Sequence, residues 1–169
     1  MPTIDVSLLH TLTEDLAGFL SEVTHGDLSR PIPGTTGDLA DLYRHLLEQN
    51  IATATTVAGK PISRIPLDLD ARVDVYGGCG LESDYRRTAR LMEDAFAATE
   101  AVDAATLYDA QISNTVIRTW DVAEALGLHY RPDPAVTQRV LRSFARQTPP
   151  TDPDIFDCVL TLSGRKTVA

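Results

Sequence analysis

The sequence predicts an all-α fold, a four-helix bundle with short additional helices near its C-terminal end. Apolar residues recur three to four positions apart over four long segments, which is the period of a helix with one buried face. Stretches containing glycine and proline separate these segments, and the alternating pattern of strands is nearly absent. With 169 residues and 43% hydrophobic content, the chain can bury one core without cross-links, so residues 1–169 are predicted to form a single domain.

The first two helices are separated by an extended connection that contains prolines. The first is predicted from about Asp5 to Thr24, and the second from its capping residue Asp38 to about Ala58. Gly59 to about Glu82 is expected to be a loop, and a loop of that length in a compact domain is either mobile or functional. The residues expected to form the buried faces of these helices are Leu9, Leu12, Leu16, Phe19 or Leu20, Val23, Leu39, Leu42, Leu46 and Leu47.

The third and fourth helices complete the predicted bundle. The third begins near Ser83 or Asp84. The fourth runs from Asn114 to Leu126, where Gly127 can adopt the left-handed conformation that ends a helix. Ala104 to Ala110 are expected to form an irregular connection or a short strand. The apolar face of the third helix is predicted to contain Tyr85, Ala89, Met92 and Phe96.

Two Asp-Pro pairs predict the remaining helices, because a capping acid followed by proline suits the first helical turn. Asp133-Pro134 is expected to begin a fifth helix, and Asp152-Pro153 a short terminal helix. The apolar residues of these two helices are Val136, Val140, Leu141, Phe144, Ile155, Val159 and Leu160.

Charge and composition restrict the expected partners. The net charge of −9 disfavours nucleic acid and anionic membrane surfaces, both of which attract basic proteins. The N-terminal residues lack the basic and apolar runs of a signal peptide, and no segment has the roughly 20 apolar residues of a transmembrane helix. Cys79 and Cys158 form no metal-binding or disulfide pattern. These observations predict a cytoplasmic protein with a small-molecule partner, and a homodimer is a further option because bundle faces often pair.

The most informative residues lie on the predicted fourth helix. Asn114, Arg118 and Asp121 follow one another at spacings of four and three residues, so their side chains share one face. An amide, a guanidinium and a carboxylate on one helical stripe indicate either a polar site or a buried ion pair.

Three segments together resemble the DinB-like and mycothiol-dependent maleylpyruvate isomerase-like family. They are Pro31-Ile-Pro33 followed by Asp38-Leu-Ala-Asp41-Leu-Tyr-Arg-His45-Leu, then Arg118-Thr-Trp120-Asp121-Val-Ala-Glu-Ala-Leu-Gly127, and the closing Leu160-Thr-Leu-Ser-Gly164-Arg165. The resemblance implies a helical bundle in which a His of the second helix, with an acidic residue and a His of the fourth, binds a divalent metal.

This sequence departs from the family pattern at two of the three metal-ligand positions. His45 matches the His of the second helix, whereas Asn114 and Arg118 stand at the other two positions, and Gly37 stands where the family usually has a tryptophan. A guanidinium is always charged and has no lone pair to give to a metal, and a single imidazole is a weak site. We therefore predict that the chain uses neither a metal nor another cofactor.

The same three residues predict a different chemistry if the bundle brings them together. His45 could move a proton, Arg118 could hold a carboxylate or stabilise an enolate, and Asn114 could orient a carbonyl. These catalytic roles would suit a metal-independent enzyme of specialised metabolism that isomerises or cyclises a small polar or acidic metabolite. The alternative is a buried polar cluster in which Arg118 pairs with Asp121.

Four further residues are candidates for substrate binding, and each also has a simpler interpretation. Trp120 fits a core anchor, and Asp121 fits a partner for Arg118. Cys79 lies in a glycine-rich loop without a basic neighbour, which favours an ordinary thiol. Tyr43 lies on the second helix and is expected to point elsewhere than the site.

Two other functions remain open from the sequence. The first is the activity that the family implies, a metal-dependent transferase or isomerase acting with mycothiol or a similar thiol; the departures from the ligand set count against it. The second is a non-catalytic protein that binds a small molecule. A well-satisfied pair of Arg118 and Asp121 with no cavity beside it would favour that second function or a purely structural role.

Overall fold

The computed structural model describes residues 3–61, 80–144 and 154–166, and these residues form six α-helices and one 3₁₀ turn. The described ranges contain no strand, and Pro31 and Asp38 form an isolated antiparallel bridge. The helices are α1 (Ser7–Ser21), α2 (Leu39–Ala58), α3 (Leu81–Ala98), α4 (Ala104–Leu126), α5 (Pro134–Phe144) and α6 (Ile155–Leu162), and the 3₁₀ turn is His25–Asp27. The predicted all-α class is confirmed.

The four long helices pack side by side as a bundle. α1 packs against α3 and α4, and α2 packs extensively against α3. α2 and α4 approach each other much more sparsely, and we call the space between them the α2–α4 seam. α5 packs against α4 and also against α6. None of the helices in the described ranges is long and apolar enough to cross a membrane.

The predicted ends of α2 are confirmed because both depend on local interactions. Asp38 Oδ1 accepts a hydrogen bond from the backbone N–H of Asp41 over 2.9 Å, and Asp41 Oδ2 accepts one from the N–H of Asp38 over 3.3 Å. This reciprocal capping box satisfies two donors that the first helical turn leaves free. At the other end, Gly59 has a φ of +65°, a left-handed conformation that glycine adopts without steric cost.

The predicted beginning of α4 was wrong, because the helix starts at Ala104 rather than at Asn114. Tyr108 explains the difference. Its side chain is buried, and its hydroxyl donates to the backbone oxygen of Asp5 over 2.9 Å and accepts from the N–H of Leu9 over 3.3 Å. These contacts hold the early part of α4 against the N-terminal segment, and their partners are about 100 residues apart in the chain.

Two other helix starts differ by a few residues from those predicted. α3 begins at Leu81. α6 is capped by Asp154, whose Oδ1 accepts from the N–H groups of Phe156 and Asp157 over 3.0 and 3.2 Å. Asp152-Pro153, which was expected to begin this helix, lies outside the described residues, as does most of the loop predicted between Gly59 and Glu82.

The core consists of two hydrophobic clusters separated by buried polar side chains. One cluster contains Leu9 and Leu12 of α1, whereas the other contains Leu16 and Leu20. Each helix of the bundle carries at least one polar side chain that is at most 2% exposed, and we call four of these, one from each helix, the polar layer. They are Thr13, Asn50, Thr88 and Thr115.

Candidate functional site

Asp121 of α4 is fully buried and lies between two arginine side chains. Arg165 holds it in a two-pronged contact, with Nε donating to Oδ1 over 3.0 Å and Nη2 donating to Oδ2 over 2.8 Å. Arg118 Nη1 donates to Oδ2 over 3.2 Å. A buried carboxylate is costly unless it is paired, and the two-pronged guanidinium contact is the strongest form of that pairing. We call these three residues the Asp121 cluster.

The cluster is assembled from distant parts of the chain. Arg118 and Asp121 are three residues apart on α4, whereas Arg165 belongs to the turn that follows α6. A loop before α2 packs on that turn: a side chain at Gly34 would place its Cβ only 3.1 Å from the backbone oxygen of Gly164. Gly34 also has a φ of +74°, so both the close approach and the backbone conformation require glycine here.

The Asp121 cluster has an excess of positive charge in a protein whose net charge is −9. Its one carboxylate is opposed by two guanidiniums. The hydrogen bonds with Asp121 raise the pKa of Arg165, and Arg165 Nη1 also donates to the backbone oxygen of Ser163 over 2.8 Å. Arg118 donates only through Nη1 within the described part of the chain. Its Nε and Nη2 groups are therefore left for water or for a ligand.

The two helices that border the seam run antiparallel. Towards one end of the seam, Thr53 Oγ1 donates to Gln111 Oε1 over 3.5 Å. Towards the other end, Arg30, which precedes α2 in the chain, donates from Nη1 to the backbone oxygen of Ala125 over 3.2 Å. Each helical residue advances about 1.5 Å, so residues equally far from Thr53 and Gln111, counted in opposite directions, lie at about the same level.

This register places His45 and Arg118 at about the same level of the seam. Leu46 and Arg118 are each seven residues from the Thr53–Gln111 contact, and His45 is next to Leu46 in the chain. His45 itself is exposed, and no hydrogen bond joins it to any other described residue. It therefore lies at the rim of the seam and makes no hydrogen bond to Arg118.

Asn114 is exposed and lines a different feature, a cleft of about 690 Å³ between α4 and α5. It makes no hydrogen bond to Arg118 or to His45. The structure thus brings Arg118 into contact with Asp121 and places His45 at the same level, whereas Asn114 lies at the border of a neighbouring cleft. The other residues that line this cleft are Thr106, Asp109, Ala110, Ser113, Arg139, Arg142, Ser143 and Phe144.

The remaining candidates for substrate binding occupy structural positions or lie outside the described residues. Trp120 is 7% exposed and belongs to a core cluster, which supports its interpretation as a packing anchor. Tyr43 is buried, and its hydroxyl donates to the backbone oxygen of Leu81 over 3.1 Å, joining α2 to the start of α3. Cys79 is not among the described residues.

Sequence reasoning missed the role of Arg165 and the polar layer. Arg165 could not be matched to Asp121 from the sequence, because 44 residues separate them. The polar layer did leave a signal, since Thr13 and Asn50 interrupt apolar stripes at positions where leucine or alanine would be ordinary.

Comparison with protein-family models, with curated proteins and with solved structures gives no match. The resemblance to the DinB-like family therefore stays a prediction from three sequence segments. Among the residues that the structure describes, no group of three or more His, Cys, Asp and Glu side chains is arranged to hold a metal ion.

Proposed function

We propose that this protein binds a small metabolite carrying a carboxylate in the α2–α4 seam, and that it acts on that metabolite by metal-independent acid/base chemistry. Arg118 would bind the carboxylate, and His45 would exchange a proton with the bound molecule. The reaction class is isomerisation or cyclisation through an enolate.

One observation carries the proposal: Arg165 already pairs with Asp121 through two hydrogen bonds, so the charge of Arg118 is largely left over. Arg118 is held by one nitrogen and is 24% exposed on its side chain, which keeps two donor groups accessible. A guanidinium fixed in this way loses little freedom when it binds a carboxylate, and such pre-organisation favours affinity.

The chemistry requires a ligand that reaches from Arg118 to the rim of the seam. With its carboxylate on Arg118, an enolisable keto acid would present the carbon next to its carbonyl towards His45. The imidazole would take the proton from that carbon, and the positive charge of Arg118 would stabilise the enolate that forms. If the keto acid carries a C=C bond next to that carbon, return of the proton to the far carbon of the resulting dienolate would move the double bond and complete an isomerisation.

The test measures binding and proton exchange separately. Isothermal titration calorimetry with small keto acids, and with their neutral amides, should show binding of the acids only. Arg118→Gln should weaken binding of the acids by about tenfold or more, which corresponds to the loss of one charge-assisted hydrogen bond. Arg118→Lys keeps the positive charge but not the paired donors of the guanidinium. Its affinity for the acids should therefore lie between those of the wild type and of Arg118→Gln.

Arg44→Gln is the matched control, because Arg44 forms an exposed pair with Asp41 at the same spacing on α2. It should leave the affinity unchanged. Equal affinity for acids and amides, or an equal loss in both variants, would show that Arg118 is not an anion site. Proton exchange of a bound keto acid in D₂O, followed by NMR, should become slower in His45→Gln.

A second candidate function is non-catalytic binding of the same class of metabolite. The exposed position of His45, without a partner, favours this candidate because nothing in the described residues orients the imidazole. Binding that depends on Arg118, together with proton exchange that is equal in wild type and His45→Gln, would select it.

A further inference from the structure

A second groove lies between α1 and α5, and it shares no residue with the Asp121 cluster. Its volume is about 440 Å³, within the range of small-molecule sites. Its apolar lining consists of the half-buried Leu8 and the small exposed parts of Leu12 and Val136, which are 3% and 8% exposed. The polar and charged residues along it are Thr11, Asp15, Asp133, Arg139 and Arg142.

Most of these charges already have partners. Arg139 forms a short ion pair with Asp109, with Nη2 and Oδ1 2.6 Å apart. Asp133 caps α5, because its Oδ1 accepts a hydrogen bond from the N–H of Ala135 over 2.8 Å. Neither residue needs a ligand for its charge to be satisfied.

Asp15 and Arg142 are different, since neither has an ion-pair or hydrogen-bond partner within the described ranges. They line the same groove with opposite charges, yet they do not pair with each other. Both side chains are exposed, and partial burial raises the pKa of the Asp15 carboxyl with no counter-charge beside it. A ligand cation would offset that cost.

We propose that the groove between α1 and α5 binds a zwitterionic α-amino acid with an aliphatic side chain. The ammonium group would contact Asp15, the carboxylate would contact Arg142, and the side chain would cover the apolar surface formed by Leu8, Leu12 and Val136. A guanidinium suits a carboxylate because it offers paired donors in one plane. This inference is independent of the function proposed for the α2–α4 seam.

The position of Arg142 alone would not require a ligand. Arg142 lies in the last turn of α5, where a cation also interacts favourably with the helix dipole. The interaction with the helix dipole does not involve Asp15. The experiment must therefore show that Asp15 and Arg142 contact the same ligand molecule.

The test is a titration of the intact protein with L-leucine, leucine methyl ester and N-acetyl-leucine, followed by protein-observed NMR or calorimetry. The ester lacks the carboxylate charge, and the acetylated form lacks the ammonium charge. L-leucine should bind at least about tenfold more tightly than either, the equivalent of one charge-assisted hydrogen bond. Similar affinity for all three compounds, or no binding of L-leucine, would overturn the proposal.

Substitutions test whether Asp15 contacts the ammonium group of the ligand and Arg142 its carboxylate. Asp15→Asn should abolish the preference of L-leucine over N-acetyl-leucine, and Arg142→Gln should abolish its preference over the ester. Arg142→Lys should retain part of that preference, which also shows that the groove is still folded. The control variants are Asp94→Asn and Arg90→Gln, two exposed charges of α3 outside the groove. An equal loss of these preferences in the control variants would refute the assignment of Asp15 and Arg142 to the two ends of the ligand.

Discussion

At the scale of single residues, Asp121 has the strictest environment among the acidic residues that the structure describes. It is fully buried, both of its oxygens accept hydrogen bonds, and all of its partners are guanidinium groups. A buried acid of this kind is worth little as a net contribution to stability, because desolvation offsets the attraction. Removing this charge should lower the stability, since Arg118 and Arg165 would then face each other without a negative charge between them.

We expect Asp121→Asn to lower the free energy of unfolding by about 3 kcal/mol. Asparagine keeps the shape of the side chain but supplies no negative charge for Arg118 and Arg165. Chemical denaturation followed by circular dichroism measures the change.

Asp109→Asn is the matched control for this prediction. Asp109 also pairs with an arginine, but its side chain is 51% exposed and Arg139 is 38% exposed. Exposed pairs contribute about 0.5 kcal/mol. Equal losses in the two variants would mean that the burial of Asp121 does not determine the cost.

At the scale of elements, the helix starts differ in whether the N-cap side chain hydrogen-bonds to the first turn. Asp38 and Asp103 are both acids at the N-cap of a helix. Asp38 bonds to the first turn of α2, whereas the side chain of Asp103 makes no capping hydrogen bond to α4. The comparison separates the capping bond from the general attraction of an acid to a helix N-terminus.

We expect Asp38→Ala to destabilise the protein by about 1 kcal/mol, the usual cost of losing a side-chain cap. Asp103→Ala should cost only a few tenths of a kcal/mol, since it removes charge near the helix dipole but no cap. Thermal or chemical unfolding of both variants checks the difference. A loss at Asp103 as large as that at Asp38 would assign the effect to charge alone.

At the scale of the whole molecule, the polar layer contributes a buried hydrogen bond between two helices of the bundle. Asn50 Nδ2 of α2 donates to Thr88 Oγ1 of α3 over 3.1 Å, and Thr88 Oγ1 donates to the backbone oxygen of Tyr85 over 3.0 Å. A buried hydrogen bond of this kind favours one register of two packed helices, because a shift along the axis would leave polar groups unpaired.

We expect a double-mutant cycle of Asn50→Leu and Thr88→Val to give a coupling of about 1 kcal/mol, because each single change leaves one polar partner buried without its hydrogen bond. The double variant should lose less free energy of unfolding than the two single variants lose when their losses are added. The control cycle combines Asn50→Leu with Thr137→Val, a buried threonine of α5 whose hydroxyl donates to the backbone oxygen of Asp133, the residue before that helix. That pair should be additive, and coupling of similar size in both cycles would contradict the direct bond.

The sequence by itself determined the helical class, the buried faces and the helix ends that have a local cap, because these follow from periodicity and capping within a few residues. Asp38 and Gly127 are examples, since each acts on its own helix end. The sequence also predicted that Arg118 and Asp121 share a face and could pair.

Only the tertiary structure decided the parts that depend on partners far away in the chain. The extension of α4 to Ala104 requires the contacts of Tyr108 with the N-terminal segment, and no local pattern encodes those contacts. Likewise, Arg165 reaches Asp121 across 44 residues and leaves the charge of Arg118 available. The sequence could predict that Arg118 pairs with Asp121, but only the packing of the C-terminal turn on α4 decided that Arg165 makes two hydrogen bonds to this acid and Arg118 makes one.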